Sequence, residues 1–271
     1  MTTSGSGTST TTEMPDIQSE TDRRRVAIDK VGVKEIQHPV TLATPDGDHQ
    51  ETVAGINMFV SLPAERKGTH MSRFLEALNE YRTGLSPDRI IDFCHRLRED
   101  LDAEDAHVEL SFPYFVTKPA PVTGLPGLMD YPCRFLCDVS AQREDFIMSV
   151  SAAATSLCPC SKEISKYGAH NQRCLITAEV RCEGMLWIEE LIKYIESAAS
   201  CPVYAVLKRP DEKLVTEQAF ENPKFVEDIV RDLAIVLDDE PRITWYHIRS
   251  ENFESIHNHN AYAEITRDKR S

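Results

Sequence analysis

The sequence predicts an α+β fold in which antiparallel sheets carry helices on one face. Three observations predict it. The order strand–strand–helix–helix–strand–strand is legible twice, once in residues 25–142 and again in residues 143–271. The strand segments alternate apolar and polar side chains, the period of a sheet with one covered face. The helical segments repeat apolar residues every three or four positions, which makes one inward stripe. Paired strands followed by paired helices mark this class, whereas strict strand–helix alternation would mark a parallel sheet. No residue-level repeat accompanies the doubled order, so the duplication concerns elements alone.

Residues 1–24 open the chain as a Ser/Thr/Gly-rich tail with few apolar groups to offset chain entropy, and disorder is expected there. From Arg25 the pattern changes. Val26, Ile28, Val31, Val33, Val40 and Leu42 suggest extended chain, and Asp46-Gly47 a turn at positive φ. Val53, Ile56, Met58, Val60 and Leu62 continue as a second strand ending at Pro63. Phe74, Leu75, Leu78 and Tyr81 share one face of a helix. Ser86-Pro87 starts the next, an N-cap followed by a proline in the first turn, with Ile90, Ile91, Cys94, Leu97 and Leu101 facing inward. Strands follow at 108–112 and at 133–139.

In the second half, residues 146–153 and 174–180 read as strands. A helix over about 186–200 carries Trp187, Leu191, Ile192 and Ile195, and Asn222-Pro223 opens another with Phe225, Val226, Ile229, Val230 and Leu233 inside. Between these helices Lys208-Arg209-Pro210-Asp211-Glu212-Lys213 reads as a charged loop. Strands at 243–248 and 261–265 close the chain. Sheets of this kind leave open edges, which another subunit can cover, so an oligomer is expected.

Composition narrows the function. A net charge of −14 argues against nucleic acid and anionic membranes as partners, because both need a basic face. No stretch approaches the roughly 18 apolar residues of a membrane helix. The N-terminal segment lacks the apolar core of a secretory signal, and eight cysteines show no secreted disulfide spacing. A cytoplasmic protein with reduced thiols is expected.

The chemistry concentrates in two runs. Ser156-Leu157-Cys158-Pro159-Cys160-Ser161 with His170-Asn171-Gln172-Arg173 places thiols and an imidazole close together. A C-x-C pair closes its own disulfide only with strain, so metal ligation or a reactive thiol is indicated, against the plainer reading of buried small residues at a strand end. His170 lies in a loop between strands, where site residues collect. The second run is Glu254-Ser255-Ile256-His257-Asn258-His259-Asn260. In an extended segment His257 and His259 share a face and Glu254 takes the other, an arrangement suited to metal or acid–base work. Glu212 and Glu227 attract no attention from pattern alone.

Taken together, the strings SLCPCSKEISKYGAHNQR, RPDEK, ENPKFVEDIVRD and ESIHNHNAYA resemble the type IB GTP cyclohydrolase I family over most of the chain after the tail. The resemblance implies a bimodular tunnelling fold (T-fold): two β2α2β2 units, residues 25–142 and 143–271, assembling into a homotetrameric barrel with sites between subunits. It implies metal-dependent hydrolysis of GTP to 7,8-dihydroneopterin triphosphate and formate, the entry to tetrahydrofolate synthesis. It makes Cys158, His170 and Glu212 the ligands of a divalent ion, with zinc, manganese and other ions such as iron accepted. Glu254, His257 and His259 become further ligands or acid–base groups, and Glu227 the anchor of the guanine edge. Lys162 and Arg173 are the first candidates for the triphosphate, with Lys166, Lys208, Arg209 and Arg249 behind them. Cys174 stands where a smaller polar residue is expected.

Three rival functions follow from the same residues. One is a T-fold nitrile reductase, in which the thiol attacks a 7-deazaguanine nitrile with NADPH as reductant. Another is a related cyclohydrolase that releases a cyclic phosphate. The third is a non-catalytic, zinc-stapled protein, which would unfold on chelation.

Overall fold

The computed structural model describes residues 16–270. Strands β1 (Ile28–Ala43) and β2 (His49–Leu62) lead to helices α1 (Met71–Tyr81) and α2 (Pro87–Asp100), then to β3 (Ala106–Pro119) and β4 (Pro126–Val139). The second half runs β5 (Glu144–Leu157), α3 (Pro159–Ile164), β6 (Asn171–Cys182), α4 (Ile188–Ser197), β7 (Cys201–Pro202), α5 (Arg209–Glu221), α6 (Val226–Asp239), β8 (Ile243–Asn252) and β9 (Ala261–Asp268). All ladders are antiparallel, in the order β1-β2-β3-β4-β5-β6-β8-β9, with the short β7 against β5. The sheet continues across residues 142 and 143: β4 pairs with β5 from Cys133↔Val150 to Val139↔Glu144. Among the described residues β1 and β9 are its edge strands, with the end of β1 bonded to Arg82 and Leu85.

The core lies between the sheet and α1, α2, α4 and α6. Alternate strand residues supply one side: Ile56, Met58 and Val60; Val108, Leu110 and Phe112; Ile176, Ala178 and Val180. Helical stripes supply the other: Phe74 and Leu78, Ile90, Phe93 and Leu97, Leu191 and Ile195, Ile229, Leu233 and Leu237. These match the stripes read from the sequence with two exceptions: Leu75 is exposed and Ala77 takes the inward place, and Phe225, expected inside, is exposed because it precedes the first turn of α6 as its N-cap. Truncating a fully enclosed member such as Leu97 or Leu233 to alanine should cost about 2–5 kcal/mol.

Helix starts follow one local device. A carboxylate three residues into α4, α5 and α6 accepts the N–H of the residue before the helix: Glu190 from Trp187, Asp211 from Lys208 and Asp228 from Phe225, each at 2.9 Å. Each satisfies a donor that the first helical turn leaves unpaired and places negative charge at the helix's positive end. α2 uses the predicted serine cap, Ser86 Oγ accepting from Arg89 N. At Gly32 no side chain fits, since a Cβ there would lie 2.0 Å from the Met58 carbonyl oxygen.

Four features differ from the expectations. Residues 208–213 are not a loop: helix α5 starts at Arg209. Its helical face is short of apolar residues, with only Asp211 and Ala219 buried, so periodicity does not betray it. Pro210 in its first turn and the Asp211 cap are the signals that it carried. α3 spans six residues, too few for a periodic pattern. The strands reach 14 or 16 residues in the first half, far longer than their clearest alternation. Finally, the expected tail is anchored beyond residue 15. Gly68 N donates to Gln18 O, Lys67 N to Glu20 O and Asp22 N to Glu65 O, at 3.1, 3.1 and 2.9 Å. The rest of that tail, residues 1–15, lies outside the described residues. Among the described residues no helix is long and apolar enough to cross a membrane.

Candidate functional site

Strand register brings the first motif together. β5 and β6 pair Leu157 with Asn171 at the end of their ladder, so Cys158 and His170 face each other one step beyond. Cys158 N donates to His170 O at 3.1 Å. Ser161 laces the same two residues: its Oγ accepts from His170 N and donates to Cys158 O, both at 3.2 Å. Cys158 precedes α3, and its Sγ accepts the Ser161 N–H at 3.5 Å. The thiol is therefore held at the mouth of the 158–170 loop, half-buried and accessible.

The adjoining ladder adds Glu254. β6 pairs with β8 through Cys174↔Asn252, and Phe253 N donates to Arg173 O at 3.0 Å. The next step sets Glu254 opposite Gln172. Gln172 contacts both neighbours: Oε1 lies 3.1 Å from His170 Nδ1, and Nε2 donates to Glu254 Oε1 at 3.4 Å. Beneath them, Asn252 Nδ2 donates to Ser156 Oγ at 2.9 Å, and Ser156 Oγ donates to Lys224 O at 3.0 Å. Lys224 N in turn donates to Leu157 O at 3.0 Å. This buried network binds the approach to α6, and with it Glu227, to the strand that presents Cys158.

The remaining predicted residues take distinct places. Glu227 is exposed in the first turn of α6. His257 and His259 are exposed in the 253–260 loop, which bends instead of running extended. Their rings still stack, with centroids 5.0 Å apart and planes 24° apart. Glu212 is exposed in the first turn of α5, three and seven residues before Val215 and Ala219, which pack with Leu157 and Ala169. Lys162 donates from Nζ to Phe220 O and lies over the Phe220 ring, so it ties α3 to the end of α5. Arg173 is exposed and alternates to the other side of β6 from Gln172. Cys160 is exposed on α3. Cys174 is enclosed, and burial pushes its thiol up to about 12, which makes it core and not a reactive group.

Among the described residues no three His, Cys, Asp or Glu side chains gather closely enough to hold a metal. The structure links Cys158 to His170 through their backbone and Ser161, and His170 to Glu254 through Gln172. The donor types nevertheless fit a divalent ion, since a thiolate, an imidazole and a carboxylate suit zinc and its neighbours. The His170 ring fits as well: its Nδ1 is engaged by Gln172, which turns Nε2 away from the amide.

Position 211 is the residue that pattern reading passed over. Asp211 is fully enclosed, and its carboxylate accepts from Val122 N, Thr123 N, Thr123 Oγ and Lys208 N at 2.8–2.9 Å. Burial would raise its pKa, but those donors outweigh it and hold the carboxyl at about 2. It fixes the start of α5, and so the place of Glu212, against the turn joining β3 and β4. A cleft of about 310 Å³ opens beside this helix, lined by Thr155, Asn171, Tyr204, Leu207, Val215 and Thr216.

Known proteins resemble the chain throughout. A family model described as type I GTP cyclohydrolase folE2 matches residues 14–263. A protein of Geobacter sulfurreducens named GTP cyclohydrolase FolE2 is 51% identical over 257 residues, covering 95% of this chain and 99% of its own. One of the same name from Nitrosococcus oceani is 50% identical over 254 residues, 94% of this chain and 95% of its own. Among solved structures, a urate oxidase of Bacillus sp. TB-90 superposes with a TM-score of 0.54 at 8% identity, over 90% of this chain and 99% of that one. The uricase of Arthrobacter globiformis gives 0.52 at 7% identity, over 89% and 93%. At such identities these two likenesses concern the fold alone.

Proposed function

The chain belongs to the type I GTP cyclohydrolase FolE2 family, and from that premise we propose that it hydrolyses GTP to 7,8-dihydroneopterin triphosphate and formate. The observation that carries the reading is the register-locked pair Cys158 and His170 with Glu254 beside them. These are the residue types that ring opening of guanine calls for, gathered at the end of three adjacent strands.

Cys158, His170 and Glu212 would hold a divalent ion, zinc or manganese or another such as iron. When bound, that ion supplies a Lewis acid able to bring the pKa of a water down toward about 7. The protein's own residues do the rest. Glu227 accepts from guanine N1–H and the 2-amino group; adenine lacks both donors and is rejected. Water must be added at C8, and that carbon must leave as formate. His257 and His259 stand exposed on a loop beside the cluster and can hand protons to the ring nitrogens as they become amines. Glu254, held by Gln172, can take up the proton that the attacking water gives up. The triphosphate meets Lys162 and Arg173, with neighbouring cations in reserve.

The same reading makes the protein a cytoplasmic homotetramer with sites between subunits and the tunnelling fold in its doubled form. Two observations support a covered site. The sheet has an open edge at β9 and along β1 before Thr41. Around the site Ile164, Tyr167 and Ile256 expose 85, 96 and 63% of their surfaces, apolar area that a partner subunit would cover.

The test is incubation of chelated, then metal-reloaded protein with GTP, following formate and the fluorescence of the oxidised pterin. Metal-dependent formate together with a pterin product supports the reading. A folded protein that releases no formate with any divalent ion refutes it, and nitrile reduction with NADPH becomes the assay to run.

A further inference from the structure

We propose that Gln172 is a positioning residue that sets the tautomer and the aim of the His170 ring, by bridging that ring to Glu254. The proposal rests on the reading of His170 as a metal ligand.

The bridge follows from which atoms can donate. Gln172 is 8% exposed, and the side chains of His170 and Glu254 are 15% and 13% exposed, so water competes poorly for any of them. The group facing Glu254 Oε1 at 3.4 Å is the amide NH2, which donates to the carboxylate oxygen. That assignment leaves the amide oxygen facing His170 Nδ1 at 3.1 Å. An amide oxygen also only accepts, so Nδ1 must carry a proton. In the neutral ring the lone pair then sits on Nε2, the atom turned away from Gln172. A chain of three side chains, read from the carboxylate inward, thus decides which nitrogen is free to bind a metal.

Glu254 cannot set the tautomer by itself, because its Oε2 lies 4.0 Å from Nδ1, beyond hydrogen-bond reach. The amide is the link. Its own backbone is fixed by the pairing of Gln172 with Ser156, just inside the end of the strand that His170 leads into. A single side chain therefore controls the ligand nitrogen on one hand and the position of Glu254 on the other. Ligating histidines elsewhere are held in the same way by a partner for the second nitrogen, and its loss weakens metal binding about 10–100-fold.

The test uses the full chain in two measurements. In metal-free wild-type protein, the ring-nitrogen NMR shifts of His170, assigned against His170→Gln, should show a protonated Nδ1. Cobalt and zinc affinities are then measured by competition with a chromophoric chelator. Gln172→Met keeps the volume and removes both hydrogen bonds; it should bind metal about 10–100-fold more weakly. Gln172→Glu still accepts from Nδ1–H and should recover most of that affinity, while turnover stays low because Glu254 has lost its donor. A proton on Nε2, or wild-type affinity in Gln172→Met, overturns the proposal. So does an equal loss in both variants, which marks a structural role. If Gln172→Met does not fold, the wild-type tautomer and Gln172→Glu still decide. Should wild type bind no metal at all, the ligand assignment itself fails, a result distinct from the others.

Discussion

The carboxylate of Asp211 takes both hydrogen bonds that Thr123 can offer it, the backbone N–H at 2.9 Å and the hydroxyl at 2.8 Å. This joins the tip of the β3–β4 hairpin, from the first half of the chain, to the first turn of α5, from the second. Glu212 is the next residue along. A proposed ligand is therefore positioned by a contact between distant parts of the sequence. Asp211→Ala would leave three N–H groups without their acceptor. The expected outcome is a melting temperature lowered by several degrees and turnover reduced about 10-fold, because a misplaced ligand costs rate as well as stability. Asp211→Asn, which keeps shape and part of the acceptor, should fall between.

The same carboxylate gives a pH signature. Its pKa is about 2 in the folded chain and near 3.9 when unfolded. A group depressed by folding stabilises only while ionised. Its contribution is complete above about pH 4 and is lost as pH falls toward 2. Subtracting the denaturation midpoints of Asp211→Asn from those of wild type should give a difference that is flat above pH 4 and shrinks below it. A difference that persists unchanged at pH 2 would contradict the assignment.

Cys158 and Cys174 form an internal comparison. Cys158 is half-buried at a loop mouth, whereas Cys174 is enclosed in β6 with its thiol pushed up to about 12 by burial. Cys158→Ala should abolish metal-dependent formate release and leave the melting temperature of the metal-free protein close to wild type. Cys174→Ala should do the reverse, costing about 1 kcal/mol of stability through a small cavity and sparing turnover. Denaturant titration and the formate assay on both variants separate the two thiols.

Much of this was legible in the chain, and the gaps have physical causes. The inward stripes of α1, α2, α4 and α6 were visible because each buries several apolar residues against the sheet. α5 was not, because it packs through the polar Asp211 cap and the small apolar side chains Val215 and Ala219. Cys158 and His170 were found by residue type, yet what joins them is the β5–β6 register, which no local spacing displays. Gln172 stood in the quoted motif without a role. Its place is set by the ladder, where it pairs with Ser156 one step inside the end and so reaches both His170 and Glu254. Lys162 is a phosphate candidate by charge, and its ammonium, which carries three donors, spends one on the Phe220 carbonyl.

Glu227 should control which base is accepted. It is exposed in the first turn of α6, close to where the Lys224 backbone is tied to Leu157 and Ser156. Glu227→Gln replaces one acceptor with a donor that faces donors on guanine, and should lower kcat/KM for GTP about 10²-fold or more. Inosine triphosphate lacks the 2-amino group, so wild type should discriminate against it and the variant should not. Parallel kinetics with the two nucleotides give the comparison.

The paired histidines of the 253–260 loop offer the last discrimination. Their rings stack at 5.0 Å on exposed residues, outside the packed core. A role in proton transfer predicts that His257→Ala and His259→Ala lower kcat about 10²–10⁴-fold and leave KM and melting temperature nearly unchanged. A role in holding the metal predicts a fall in metal affinity instead, with activity restored by excess ion. Because the two rings touch, the double variant separates shared from independent work. Losses that do not add mean one proton path used by both rings, whereas additive losses mean two separate steps. Steady-state kinetics of the single and double variants at saturating metal make the distinction.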